Sequence, residues 1–367
     1  MENLVEHNMS NSILESYYKG KRVFLTGHTG FKGSWMLSWL HLLGCELKGY
    51  ALAPEHSEDL YNIIKGDRLC ESVIADIRQK ELLEQEILAF QPDFVFHLAA
   101  QPLVRRSYKN PLETFDTNVM GTAYVLEAIK KLQKPCSVVI ITTDKVYENK
   151  EWVFPYREND TLGGYDPYSA SKAAAEIVIS SYRNSFFNPK DYAKHQKGIA
   201  VGRAGNVIGG GDWSEDRLIP DVVKSLKIKK KIIIRNPNSV RPWQHVLEPI
   251  RGYLQLGAKL ASDTERFSQA YNFGPYISDT LTVGELVNEA IKIWGEGSVE
   301  IQNNINGLHE AGLLKLDINK AVNELEWYPK FNANEAISKT ISWYKVLFEG
   351  NLEKVALFTI NQIKEMK

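Results

Sequence analysis

The sequence has little cysteine: three residues in 367, Cys45, Cys70 and Cys136, widely spaced and odd in number. No two stand at the spacing of a zinc knuckle or a redox pair, so neither a metal centre nor a disulfide framework organises the chain, and buried thiols in a reducing cytoplasm are expected. Long apolar runs are missing too. No stretch approaches the roughly 18 consecutive apolar residues that span a bilayer. The first twenty residues carry Glu2, Glu6 and Glu15 in place of an apolar signal core, so no secretory address is expected. Charge of one sign is also lacking. With 44 basic against 45 acidic side chains the formal net charge is −1, a field that attracts neither nucleic acid nor an anionic membrane. The one basic cluster, Lys227–Lys231, reads as a solvated helix end, and there are no repeats or low-complexity tracts.

What is present is an ordinary globular composition, 44% hydrophobic and 24% charged, which excludes disorder. At about 150 residues per domain the length suggests two lobes. From Lys21 onward short apolar runs alternate with helical patterns, the signature of parallel strand-helix-strand units. Strands are predicted at Arg22–Thr26, Glu46–Ala51, Ser72–Ala75, Phe94–Leu98, Ser137–Thr142 and Ile199–Arg203. Helices are predicted at Gly33–Leu43, Gln79–Phe90, Leu112–Lys131 and Pro167–Phe187. The fold class is α/β: a Rossmann-like doubly wound parallel sheet with a smaller C-terminal substrate-binding lobe, and ligands at the carboxyl ends of the strands. After Asn206 glycine and proline interrupt shorter elements. The dinucleotide-binding domain is therefore placed at 20–205 with a return at 244–275, which includes a strand at Ala270–Phe273. The substrate lobe is placed at 206–243 and 276–350.

Gly27, Gly30 and Gly33 fall where the first strand turns into the first helix. Glycines there let the backbone approach a pyrophosphate closely, let the helix pack on the strand, and aim the helix N-terminus at phosphate oxygens. Two residues rather than one separate the first two glycines, a departure from the common dinucleotide pattern. The second strand ends Gly49-Tyr50-Ala51-Leu52-Ala53, with no carboxylate before Glu55 and no arginine, so this position does not decide between NAD and NADP. Asp76, followed by Ile77, is either an adenine contact or an N-cap for the helix beginning Ile77-Arg78. Asp166-Pro167-Tyr168 reads as a helix start, with Asp as cap and Pro in the first turn. Tyr168 and Lys172 then share one face, and a lysine beside the phenol would move its pKa toward neutrality and make Tyr168 a usable base.

With Thr142-Thr143-Asp144-Lys145 at the tip of the fifth strand, these residues resemble the extended short-chain dehydrogenase/reductase family, from Lys21 to about Tyr344. The segments that carry the likeness are 27–35, 97–105, 142–147, 168–172, 203–213 and 241–248. The second, fifth and last point to its nucleotide-sugar 4,6-dehydratase branch, with CDP-glucose as substrate. The resemblance implies a bound NAD that is reduced and reoxidised within one turnover. It assigns Gly27, Gly30, Phe31, Gly33, Asp76, Ile77, Leu98, Ala99, Ala100, Thr142, Tyr168 and Lys172 to the cofactor. Tyr168 would take the C4 hydroxyl proton with Thr143 on the same oxygen, and Asp144 would protonate the departing C6 hydroxyl, leaving a 4-keto-6-deoxy sugar and water. Where related dehydratases place a glutamate base this chain has Lys145, either the C5 base or an electrostatic stabiliser of the enolate.

For the substrate, Arg241 is the first pyrophosphate candidate, with Arg217 and Arg235 behind it, because a guanidinium grips two phosphate oxygens. Asn206, Gln101, Arg106 and Ser107 complete the expected substrate contacts. Asn118 is expected to support the active-site backbone, and His245, with no metal-spaced neighbour, to be structural. The helices at 112–131 and 167–187 imply a homodimer or a tetramer, with Tyr124, Ala128 and Ile177 compatible with that and equally with core packing. A cytoplasmic role in 3,6-dideoxyhexose, O-antigen and surface-polysaccharide synthesis follows from the same resemblance. Three readings compete with this one: a dehydratase of another nucleoside diphosphate glucose, a 4-epimerase, which needs no acid beside Thr143, and an NAD-sensing regulator, which would be expected to lose Tyr168 or Lys172.

Overall fold

The computed structural model describes residues 13–302 and 313–366. Seven parallel strands form one sheet: β1 (Arg22–Thr26), β2 (Glu46–Ala51), β3 (Glu71–Ile74), β4 (Phe94–His97), β5 (Cys136–Thr142), β6 (Lys197–Ala204) and β7 (Ala270–Phe273), in the order β7-β6-β5-β4-β1-β2-β3. The chain winds outward from β1 to β3, returns to β4 beside β1, and winds outward again. That reversal between β1 and β4 opens a crevice at the strand ends. β1, β2 and β7 match the sequence reading residue for residue, while β3 begins and ends one residue earlier than expected.

Alternation along the strands decides which helices cover which face. Val23, Leu25, Phe94, Phe96, Val139 and Ile141 face a cluster shared with α1 (Phe31–Leu42). Phe24, Val95, Val138, Ile140, Ile199 and Val201 face the other, with α2 (Lys80–Phe90) and residues 125–129. Both faces are apolar, as a parallel sheet requires.

The predicted helix 112–131 is three pieces after α3 (Val104–Lys109): α4 (Pro111–Phe115), a π-helical turn Asp116–Met120, and α5 (Gly121–Lys131). The wide turn is what lets Asn118 point inward, as shown below. Then come α6 (Pro167–Ser185), α7 (Leu218–Lys227) and α8 (Leu247–Ser262). α9 (Val283–Trp294) and α10 (Ala333–Phe348) each start with a capping box, Thr282 with Glu285 and Asn332 with Glu335. A last helix, α11 (Leu352–Met366), lies beyond the segment the sequence reading assigned to any lobe. The α1 side of the sheet, α8, α9 and α10 share a single hydrophobic cluster, so the expected lobes are fused through their core.

Candidate active site

The glycine loop has three different duties. Gly27 has φ +75°, and a Cβ there would stand 2.8 Å from the Ala99 nitrogen, so Gly27 lets the β1 and β4 exits touch. At Gly33 a Cβ would meet the Gly27 oxygen at 1.9 Å, so this glycine lets α1 press on the loop. At Gly30 a Cβ would meet only the Gly27 oxygen, at an ordinary 3.5 Å, so no other protein atom crowds the N-cap of α1, whose first turn has no side-chain cap and no acidic residue. An uncapped helix start beneath a Cβ-sized opening fits a dinucleotide pyrophosphate. The residue that breaks the usual glycine spacing, His28, turns away from this opening. Its ring occupies the place of a Gly49 side chain and its Nε2 lies 2.7 Å from Ser72 Oγ. Burial pulls the imidazole down to about 4, so it is neutral at physiological pH.

A relay of hydrogen bonds fixes the crevice. Thr26 Oγ1 accepts from the Leu98 and Ala99 amides and pairs with His97 Nδ1 at 2.7 Å. His97 Nε2 lies 3.1 Å from Thr122 Oγ1, which itself donates to the Asn118 carbonyl. The directions are consistent only for a neutral ring protonated on Nε2, and burial pulls His97 down to about 3. Asn118 clamps both the Gln101 amide and carbonyl and donates to Ser171 Oγ on α6, tying the β4 exit to the helix that carries Tyr168 and Lys172.

Asp166 caps α6 by accepting from the Ser169 amide at 2.9 Å, with Pro167 in the first turn. Ser107 Oγ accepts from the Tyr168 amide. Facing them, Thr143 Oγ1 donates to Asp144 Oδ1 at 2.8 Å, and Lys145 Nζ approaches the same oxygen at 3.5 Å. Asp144 is 1% exposed because Gly205 makes room for it: a Cβ there would lie 1.9 Å from Oδ2. Lys172 Nζ donates to the Ile141 carbonyl, and burial pulls its ammonium down to about 8 although the Glu176 carboxylate opposes the shift.

The expectation that Lys172 brings the Tyr168 phenol toward neutrality does not hold in this arrangement. Burial pushes Tyr168 up to about 12, offset in part by a hydrogen bond with Thr143 and by the Arg217 charge. The phenol is buried, and the Lys172 ammonium is turned to the Ile141 carbonyl.

Two charged groups escaped the sequence reading. Lys32, in the first turn of α1, feels Arg217, Lys172, Asp144 and Asp212, and burial pulls it down to about 7. A cation at a helix N-terminus opposes the dipole, and that mismatch was the available signal. Asp212 lies within a quoted motif and pairs with Arg217 at 3.0 Å.

The remaining predicted contacts fall as follows. The Gln101 side chain is spent on Leu103 and Thr114, so it holds the loop and offers no free amide. Arg106 pairs with Glu113 at 2.8 Å. Asp76 accepts from the Arg78 amide and guanidinium in the turn before α2, whose N-cap is Gln79 and not Asp76, while Ile77 packs beneath Gly121. Arg235 is exposed at the end of the strand Ile232–Ile234, and Arg241 lies in a two-residue ladder with Leu281. Asn206 has φ +43° beside Gly205. A cleft of about 330 Å³ opens beside Asp144, lined by Pro242, Gln244, Tyr276, Thr280 and Lys315 among others. His245 is buried between Trp35 and Phe331, a structural residue.

Sheet, cradle and the Tyr168–Lys172 helix together define an extended short-chain dehydrogenase/reductase. The sequence profile of the GDP-mannose 4,6 dehydratase family matches residues 24–340, and the chain belongs to that family. A CDP-glucose 4,6-dehydratase of Salmonella typhimurium is 49% identical over 336 residues, 92% of this chain and 94% of that protein. A CDP-paratose 2-epimerase of Salmonella typhi is 26% identical over 351 residues, 88% of this chain and 98% of that protein. Two solved structures share the fold. Epimerase Mth375 of Methanothermobacter thermautotrophicus has a TM-score of 0.79 at 21% identity, covering 94% of this chain and 98% of that one. The dTDP-glucose 4,6-dehydratase DesIV of Streptomyces venezuelae, solved with NAD and TYD bound, has a TM-score of 0.74 at 24% identity, covering 88% of this chain and 97% of that one.

Proposed function

We propose that the protein converts CDP-glucose to CDP-4-keto-6-deoxyglucose and water, a hydro-lyase reaction on an oxidoreductase fold. The observation that carries this is Asp144: a buried carboxyl held by Thr143 supplies an acid separate from the Tyr168 base. A 4-epimerase needs only the base, so a second proton donor favours elimination. The 49% identity to the Salmonella typhimurium enzyme supports the cytidine nucleotide.

NAD held over Gly30 supplies a reversible two-electron acceptor. Tyr168 is assigned to receive the proton of the C4 hydroxyl in its phenolate form, which the Thr143 hydrogen bond and the Arg217 charge favour against the burial that pushes the phenol up to about 12, and Thr143 orients the sugar oxygen. The resulting ketone acidifies C5–H, and Lys145, one-third exposed and 3.5 Å from Asp144, is assigned to receive the C5 proton as the neutral amine, its alternative role being to stabilise the enolate as the ammonium. Asp144 gives its proton to the C6 hydroxyl, which leaves as water. Lys172, one helical turn from Tyr168, opposes the phenolate charge. Arg241, Arg217 and Arg235 are assigned to the substrate pyrophosphate and Asn206 to the sugar side of the cleft, while Ser107, buried and committed to the Tyr168 amide and the Val104 carbonyl, positions the start of α6.

The protein is also proposed to act as a cytoplasmic homodimer that feeds deoxy-sugar and O-antigen synthesis. Leu112, Met120 and Ile177, exposed by 83%, 43% and 62% around α4 and α6, form the apolar face a second copy would cover. The deciding experiment incubates purified protein with CDP-, dTDP-, GDP- and UDP-glucose and follows 4-keto-6-deoxy products by NMR. Turnover of the CDP sugar first is expected; turnover of another sugar without it would overturn the assignment.

A further inference from the structure

Behind the catalytic helix lies a buried polar layer that the proposed chemistry does not use. Thr142, Arg203 and Asn272 share one register row across β5, β6 and β7. Over this row α6 lays Glu176, which follows Tyr168 and Lys172 at the same four-residue step and so continues their face. Glu176 is 5% exposed, and its Oε1 accepts from Thr142 Oγ1 at 2.6 Å. Arg203, 3% exposed, grips the same carboxylate through Nε at 2.8 and 3.1 Å and through Nη2 at 2.5 Å. The guanidinium is anchored in turn by Tyr147 Oη at 2.6 Å and the Glu158 carbonyl at 2.9 Å, and Tyr147 donates to Asn272 Oδ1. A fully bonded ion pair this deep gives little net stability over an apolar isostere, so stability alone does not account for it.

We propose that the Glu176–Arg203 pair is a positioning device for Lys172: Glu176 stands one turn further along the same face of α6 and takes the Thr142 hydroxyl, next to the Ile141 carbonyl that takes the Lys172 ammonium, so the carboxylate holds that ammonium charged and in place while the guanidinium, gripping the same carboxylate, limits its pull. The inference rests on the dehydratase reading, in which Lys172 must be charged to oppose the Tyr168 phenolate. Other charges bear on the ammonium as well. Lys32 from α1 repels it, His97 from β4 stays neutral beside it, and Asp144 after β5 faces Lys32. Arg183, further along α6, feels both Glu176 and Arg203. Only Glu176 opposes the desolvation of Lys172 appreciably, which makes it the lever.

The two members of the pair must therefore act in opposite directions. Glu176→Gln removes the anion, so Lys172 loses its proton at lower pH and the alkaline limb of kcat moves down by about one unit. Arg203→Gln keeps hydrogen-bonding capacity and unmasks the carboxylate, leaving Lys172 and Arg183 to answer it, and the limb moves up. Arg203→Lys restores a cation and should sit closest to the parent protein. Competitive acetylation of Lys172 against pH, read by mass spectrometry on the purified full-length protein, reports the same proton without turnover. A protein inactive on CDP-glucose would sink the proposed function and still return this titration. Opposite shifts in the two glutamine variants support the device. Shifts in the same direction, or none in folded variants, overturn it, because a merely structural pair would lower stability without splitting the titration.

Discussion

Replacing Gly205 by alanine isolates the acid from the rest of the machinery. An added Cβ would stand 1.9 Å from Asp144 Oδ2 and 2.1 Å from its Cγ, against an ordinary contact of at least 3.4 Å, a shortfall of about 1.5 Å. The carboxylate can yield only by swinging toward the adjoining cleft, which takes it off the position where Thr143 holds its other oxygen. Gly205 does not have positive φ, so alanine meets no backbone strain and the whole effect is contact. A displacement of about 1 Å at a reacting group costs on the order of 100-fold in rate, or ~2.7 kcal/mol. Overpacking at one site lowers stability by only ~1–3 kcal/mol, so the variant should remain folded. The cradle around Gly27, Gly30 and Gly33 is a separate structure. The expected outcome is a fall in kcat on CDP-glucose of about two orders of magnitude, with NAD affinity by titration calorimetry within twofold or so of the parent. Turnover within threefold or so of the parent in a folded variant would refute the placement of Asp144 as the acid.

Gly30→Ala would meet only the Gly27 oxygen, at an ordinary 3.5 Å contact without a clash, so melting should be unchanged while NAD affinity drops tenfold or more, measured by calorimetry. Lys145→Met should suppress solvent deuterium exchange at C5; undiminished exchange would assign the lysine to charge stabilisation instead. Ile177→Arg, placing a cation on the exposed apolar face of α6, should shift sedimentation from dimer to monomer without loss of secondary structure.

The fold was legible because its signals are local and redundant. β1 is a short apolar run between Lys21 and Gly27, β7 ends at Gly274, and β2 follows the helix break at Gly44, and all three fall on the expected residues. The π-turn at Asp116–Met120 was not, because nothing in the 112–131 pattern distinguishes a wide turn from a continuous helix. The helix that carries Tyr168 and Lys172 was equally readable, because Asp166 caps it and Pro167 opens it. Site residues whose role depends on a distant partner were not. Gln101 carries the same amide whether it faces a sugar or folds back on Thr114, and only the Asn118 clamp decides. Lys32 and Glu176 lie in helical sequence, and their importance comes from partners on other elements: Arg217, Lys172, Asp144 and Asp212 for Lys32, Thr142 and Arg203 for Glu176.

The near-zero total charge hides a cationic centre, and its energetic cost can be read from pH. Lys32, Lys145, Lys172 and Arg217 gather around Asp144 and Asp212, and two of the lysines are pulled down, Lys32 to about 7 and Lys172 to about 8. A lysine lowered in the folded state binds fewer protons there than in the unfolded chain, where it keeps its proton to about 10.4. Stability of the ligand-free protein must therefore rise with pH above 7, where the folded ammonium groups discharge and the unfolded ones do not. The buried histidines His28, His97 and His245, pulled down to about 4, 3 and 3, have completed their contribution below that range. The thiols, raised to about 12, oppose the trend only above about pH 8.5, where unfolded cysteine ionises. Between about pH 7 and 8.5 the slope should approach one proton, ~1.4 kcal/mol per pH unit at most because Lys32 is only half-buried. Denaturant unfolding across that window should show the rise, Lys32→Met should flatten most of it, and saturating NAD should flatten it too by supplying the anion. A ligand-free protein whose stability is level from pH 7 to about 8.5 would mean that the cations are already compensated, and the site would then need no anion to complete it.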